Sequence, residues 1–160
     1  MAHQSSQLLK TTIAEIEPRL RNIAEHEADL RPSGDAGWNR KQELGHLIDS
    51  ATNNRVRFLF AALNGRYAAP TYDGNGWVAL GGYSDASWAD LVELWMRLNM
   101  ALAQAIERIP NESLSAECTI GQHGSVTLAY LIEDYVRHMS LHLEHIAAQT
   151  NAASYEQVDI

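Results

Sequence analysis

Helical periodicity is the feature that most limits what this chain can become. Four segments repeat apolar residues at the spacing of one helix face. The first runs from about Ser5 to Ala28 and carries Leu8, Leu9, Ile13, Ile16, Leu20 and Ile23. Pro18 falls inside it. Proline removes a backbone donor and crowds the preceding turn, so a kink or break is expected there. The second runs from about Arg40 to Asn64, the third from about Ser87 to Ile109 and the fourth from about Thr127 to Thr150. Ser87 with Asp90 makes a capping pair, Pro110 follows the third segment, and Thr127 can cap the fourth. No long strand pattern interrupts them. Only "AECTIGQHGSVTL", around Gly121 and Gly124, alternates weakly enough to make a small hairpin.

The connections narrow the architecture further. "DLRPSGDAGW" between the first two helices is short and rich in turn residues. "GRYAAPTYDGNGWVALGGYSD" between the second and third is long, and a long loop inside a compact domain is usually a functional lid or a crossover. The expected fold is all-α: a four-helix bundle with a long crossover between helices 2 and 3. A chain of 160 residues buries a full core as one domain. That domain is expected over residues 1–150, with 151–160 as a C-terminal tail.

Composition excludes several functions. A net charge of −8 and no local Lys/Arg cluster give no attraction to a phosphate backbone, so no nucleic-acid partner is expected. No stretch approaches the ~18 apolar residues of a membrane span, and the N-terminus lacks a signal-like apolar run. The single Cys118 cannot form an internal disulfide, which suits a reducing compartment. A cytoplasmic protein is expected.

Three of the seven histidines sit in "DYVRHMSLHLEHI", from Asp134 to Ile146. On a helical wheel Leu131, Tyr135, His138, His142, His145 and Gln149 share one arc of roughly 80°. That arc is also the core stripe, so His138 and His142 point inward one turn apart. Two buried imidazoles need two separate partners, whereas one divalent metal satisfies both. A third ligand must come from elsewhere, and His46 is the candidate. Its wheel is ambiguous. Leu44, Ile48, Ala51, Phe58 and Ala62 form the apolar side, while His46 shares its face with Ser50, Asn53 and Arg57. That face suits solvent or the lining of a polar cleft, and periodicity does not choose between them.

Other metal signatures fail. A zincin needs Glu directly after the first histidine, where Met139 stands. A di-iron carboxylate bundle needs two Glu-x-x-His pairs, and only Glu43 with His46 has that spacing. His145 either joins the site or faces the bundle end. His3, His26 and His123 lie in polar or terminal contexts and take no role. Trp95, Met96 and Met100 read as core packing, and Cys118 as a small packed residue.

Trp38 followed by "LGHLIDS", then "YDGNGWV", "LVELWMRLN" and "VTLAYLIEDYVRHMSLH", resembles the DinB-like superfamily of four-helix metalloproteins. The resemblance runs in order from about Trp38 to Gln149. It implies the bundle with its crossover, and a divalent metal, zinc or nickel, held by His46, His138 and His142. A homodimer is also implied. Relatives include thiol S-transferases and isomerases that use low-molecular-weight thiols, and others named metal-dependent hydrolases. The family name reflects gene regulation, not DNA binding.

Three histidines leave a coordination position open, as in catalytic zinc sites. A water there ionises near pH ~7, and a thiol ionises more readily still. Two chemistries fit: thiolate attack on a small electrophile, which is the leading expectation, and hydroxide attack in a hydrolase. The rival is a non-catalytic metal-binding bundle. No catalytic side chain is assigned. Asp134, one turn before His138, is a candidate to orient an imidazole. Asp49, Asn53 and Arg57 are candidate cleft residues, and Tyr72, Asp73 and Trp77 are candidates to close over the metal.

Overall fold

The computed structural model describes residues 2–31 and 37–148. The expected tail at 151–160, the domain boundary at 150 and Gln149 lie outside the described residues.

In chain order the elements are α1 Ala2–Arg21, α2 Glu25–Ala28, α3 Arg40–Asn64, β1 Arg66–Ala69, α4 Gly74–Gly81, α5 Trp88–Glu107, β2 Glu117–Ile120, β3 Val126–Thr127 and α6 Leu128–Ala148, with short 3-10 turns at Tyr83–Asp85 and Asn111–Ser115. The four long helices form the expected bundle. The first segment divides in two. α1 continues only one turn past Pro18, where the amide of Asn22 donates to the Pro18 carbonyl at 3.2 Å, and α2 follows separately. α3, α5 and the start of α6 keep the expected bounds to within two residues, and the expected end of α6 at Thr150 lies outside the described residues. Local chemistry fixes several of these ends. Ser87 Oγ accepts from the Asp90 amide at 3.1 Å and Thr127 Oγ1 from the Tyr130 amide at 3.2 Å. At the start of α3, Asn39 Oδ1 accepts from the Gln42 amide at 2.9 Å, and Gln42 Oε1 accepts from the Asn39 amide at 3.1 Å. α3 ends at Gly65, whose φ of 74° suits a residue without Cβ.

The arrangement of the four helices is not a simple up-and-down ring. α1 packs on α5 and α6, and α3 packs on the same two. The chain therefore crosses a diagonal between α1 and α3, and again between α5 and α6.

The long crossover has structure of its own, a small sheet beside the helical bundle. β1 pairs parallel with β2, from Arg66 opposite Glu117 to Ala69 opposite Ile120. β3 completes the expected hairpin, with Glu117 opposite Thr127 and Cys118 opposite Val126. Parallel neighbours need a long connection between them, and α4 with α5 provides it. The sheet is a small clasp joining the ends of α3 and α6, and the bundle remains the body of the fold.

Trp95, Phe58, Leu9, Leu20, Leu44, Leu102 and Leu131 are fully buried. Several polar atoms inside this core are paired across helices. Trp88 Nε1 donates to the Leu20 carbonyl at 2.7 Å, Ser6 Oγ to the Ala103 carbonyl at 2.8 Å, and the Tyr135 hydroxyl to Asn99 Oδ1. Cys118 is packed, as expected. At one end of the bundle, Arg40 Nε donates to the Ile146 carbonyl at 2.9 Å and its Nη1 to the Glu27 carbonyl at 2.8 Å. Beside it, buried Lys41 meets Glu25 at 2.5 Å and Asp29 at 2.9 Å. These contacts fix the start of α3 against α2 and the end of α6. No helix among the described residues is long and apolar enough to cross a membrane.

Candidate metal centre

The polar face of α3 is turned inward. Glu43, His46, Asp49, Ser50, Asn54 and Arg57 are all buried, and His46 is 1% exposed. The ambiguity of its wheel is thereby settled: the face lines the interior between α6 and the crossover.

His46 meets the two inward histidines of α6. Its Nε2 lies 3.3 Å from Nε2 of His138, and Nε2 of His142 lies 3.1 Å from the same atom. One ring nitrogen from each of the three lies within 4.8 Å of the others. Four-coordinate zinc with nitrogens at 2.0–2.1 Å separates neighbouring ligand atoms by about 3.3 Å. The spacing therefore fits a divalent ion bound by three imidazoles. The charge state of His46 and His138 fits as well. Burial, then the neighbouring His142 and His138, lowers the His46 pKa to about 3. Burial and His142 lower that of His138 to about 4. Both rings are neutral at pH 7 and keep a lone pair for a cation. The Trp38 ring packs against His46 with centroids 5.0 Å apart.

The carboxylate beside the cluster is not the expected one. Asp134 pairs with Arg137 on the rim of its own helix. Glu43 takes the orienting position instead. The Nδ1–H groups of His142 and His145 donate to Glu43 Oε1 at 2.8 and 2.7 Å. His145 thus belongs to the shell around Glu43, not to the three converging nitrogens. Glu43 was legible only as half of a failed di-iron pattern. Its better signal is its place one turn before His46, on the side that meets α6.

Glu43 and Asp49 flank His46 on α3 by roughly 60° each. Asp49 faces the crossover, where the Tyr83 hydroxyl donates to its Oδ1 at 2.5 Å. Its Oδ2 is buried without a hydrogen-bond partner, and burial raises its pKa against the opposing pull of the Tyr83 bond. Tyr83 reaches this position because Gly45 leaves room for its ring: a Cβ on Gly45 would sit 2.1 Å from Tyr83 Cδ2. Tyr83 was not singled out in the sequence. Gly45, a glycine inside a helix at a cost of about 1 kcal/mol, was the available signal.

The other crossover candidates are placed as follows. Tyr72 packs against Trp77 with centroids 5.1 Å apart, and the Arg57 guanidinium lies 5.9 Å from the Tyr72 ring centroid. Asp73 caps α4 by accepting from the Gly76 amide at 3.1 Å. Trp77 is 41% exposed. Asn53 Nδ2 donates to the Asp49 carbonyl at 3.0 Å along α3. Tyr72 and Arg57 thus come together beside the polar face, while Asp73 has a local structural task.

A family model described as the DinB superfamily matches residues 8–146. Among solved structures, YfiT from Bacillus subtilis, called "a probable metal-dependent hydrolase with an unusual four-helix bundle topology", is similar with a TM-score of 0.78 and 21% identity, over 92% of this chain and 85% of its own. The mycothiol-dependent maleylpyruvate isomerase is similar with a TM-score of 0.72 and 15% identity, over 100% of this chain and 65% of that one. A mutant form of that isomerase has a TM-score of 0.73. The chain spans just under two thirds of the isomerase. No curated protein matches it.

Proposed function

The chain belongs to the DinB superfamily, and on that premise we propose that it is a divalent-metal-dependent enzyme that transfers a low-molecular-weight thiol to a small electrophile. His46, His138 and His142 hold the ion in this reading. One observation carries it: three imidazoles from two helices converge on a common point at the spacing of metal ligands. An ion bound there supplies Lewis acidity, lowering the pKa of a thiol or water that takes its remaining position.

The protein's own groups have separable tasks. The three histidines bind and leave one side open, since His138 and His142 are only partly buried. Glu43 orients His142. Trp38 shields one side of His46 from water. Asp49, tied to Tyr83, presents an acceptor one turn beyond His46, where it can receive a hydrogen-bond donor of the substrate.

The likeness to an isomerase that uses mycothiol supports the thiol reading. The likeness to YfiT favours a second reading, hydrolysis by ionised water at the same centre. Zinc or nickel as the ion, a homodimer, a cytoplasmic location and a single domain over residues 1–150 belong to the same proposal. Light scattering at micromolar concentration tests the dimer.

The deciding experiment loads the protein with zinc or nickel. It is then incubated with a panel of small electrophiles, with and without a low-molecular-weight thiol, and the products are read by mass spectrometry. Thiol transfer predicts an adduct that needs both metal and thiol. Product formed without thiol establishes hydrolysis. No turnover in either arm by metal-replete protein leaves a metal-binding bundle.

A further inference from the structure

We infer that Glu43 is the positioning residue of this centre: it holds His142 in the tautomer protonated at Nδ1, and His145 clamps the carboxylate that does so. The consequence for metal affinity rests on the proposed metal reading, but the tautomer itself does not.

An ionised carboxylate only accepts hydrogen bonds. Glu43 Oε1 lies 2.8 Å from Nδ1 of His142 and 2.7 Å from Nδ1 of His145. Against an ionised Glu43 both nitrogens carry protons. The neutral form of the His142 imidazole then has its single proton on Nδ1 and a bare lone pair on Nε2, the atom that faces Nε2 of His138 at 3.1 Å. Histidine in water prefers the opposite tautomer. With the proton on Nε2, His142 would present an N–H to the point where the three rings converge, and a cation could not bind it without displacing that proton. Glu43 removes this competition at His142 before any ligand arrives.

The geometry also explains why one oxygen takes two donors. Glu43 is on α3, whereas His142 and His145 are three residues apart on α6. The two N–H groups bracket Oε1, so the carboxylate cannot turn away from His142 without giving up a second hydrogen bond. Its side chain is 8% exposed, and water competes little for that oxygen. Arg40 pins the α6 backbone at Ile146, which sets the distance across which the bracket works. α3 thereby supplies one candidate ligand, His46, and the group that prepares another.

The test reads the tautomer directly in metal-free protein. Two-bond proton–nitrogen spectra of the imidazoles separate the Nδ1–H form from the Nε2–H form. They are recorded for wild type, Glu43→Gln, Glu43→Ala and His145→Phe. Wild type should show Nδ1–H at both His142 and His145. Glu43→Gln, whose amide oxygen still accepts, should keep it at His142. Glu43→Ala should shift His142 toward Nε2–H. His145→Phe should leave a mixture. Zinc affinity, by competition with a chromophoric chelator, should fall about 10–100-fold in Glu43→Ala and less in Glu43→Gln. A wild-type spectrum with Nε2–H at His142 overturns the inference whether or not any variant folds. An unchanged tautomer in Glu43→Ala also overturns it. The expected tautomers in a wild type that binds no zinc would instead refute the metal reading and leave the role of Glu43 in setting the tautomer standing.

Discussion

The hydroxyl of Tyr83 donates to Asp49 at 2.5 Å, across the seam between the crossover and α3. The ring that carries it fills the space a side chain at position 45 would need. Glycine to alanine inside a helix ordinarily stabilises by about 1 kcal/mol. Gly45→Ala should do the reverse here, because the new methyl must expel the Tyr83 ring; a loss of about 1–3 kcal/mol in urea unfolding is expected. A stabilised Gly45→Ala protein would contradict this packing.

Tyr83→Phe keeps the ring and removes only the hydroxyl. Asp49 would then lose its donor while still buried, at a cost of about 1–3 kcal/mol. The double variant with Gly45→Ala should lose less than the two single losses added together, since both act through one contact. Additive losses in the unfolding cycle would mean that Tyr83 and Gly45 act separately.

Acid should destabilise the metal-free protein through the cluster itself. The folded pKa values of His46 and His138 are depressed to about 3 and about 4, below the ordinary 6.5 that applies when the chain is unfolded. Between those values the unfolded chain holds more protons than the folded one. The contribution is thus fully present above about pH 6.5 and is lost as pH falls through the folded values, by an amount on the order of several kcal/mol. Unfolding midpoints measured from pH 7.5 to 4.5 should fall steadily, and replacing both His46 and His138 by Gln should flatten the slope. A flat wild-type profile would count against burial of neutral rings.

Chelation should leave the bundle folded. Trp95, Phe58, Leu131, Met139 and Ile146 form a core that does not depend on the histidines. Circular dichroism before and after chelation should keep the helical signal, with a drop in thermal midpoint set by the lost ligand binding. Collapse of the helical signal would make the site structural, as in small zinc domains that unfold without metal.

The helices were legible because their signals are local. Ser87 and Thr127 cap where their side chains predict, and the apolar spacing of Leu131, Tyr135 and Ile146 marks a buried face. β1 was not legible. Arg66–Ala69 is a four-residue strand whose partner is Glu117–Ile120, and nothing in four residues announces a pairing so distant in sequence. His46 was half legible. A wheel marks the apolar side of α3 as the inner one, whereas this helix is buried on its polar side too, where Glu43 and His46 meet α6 and Asp49 meets Tyr83 of the crossover. Glu43 shows the same limit: its partners His142 and His145 are on another helix, and periodicity within one segment carries no information about contacts between segments. The family resemblance placed His46 correctly on the inner side, and it said nothing of Glu43 or Tyr83.

A calorimetric titration of zinc into metal-free protein, repeated for His46→Ala, His138→Ala and His142→Ala with circular dichroism recorded on each, tests the three-histidine centre most directly. One ion per chain in the wild type, and severe loss of that binding in all three folded variants, is the expected result. Wild-type protein that takes up no ion, or a variant that binds as tightly as wild type, would contradict the assignment of these three histidines as one metal centre.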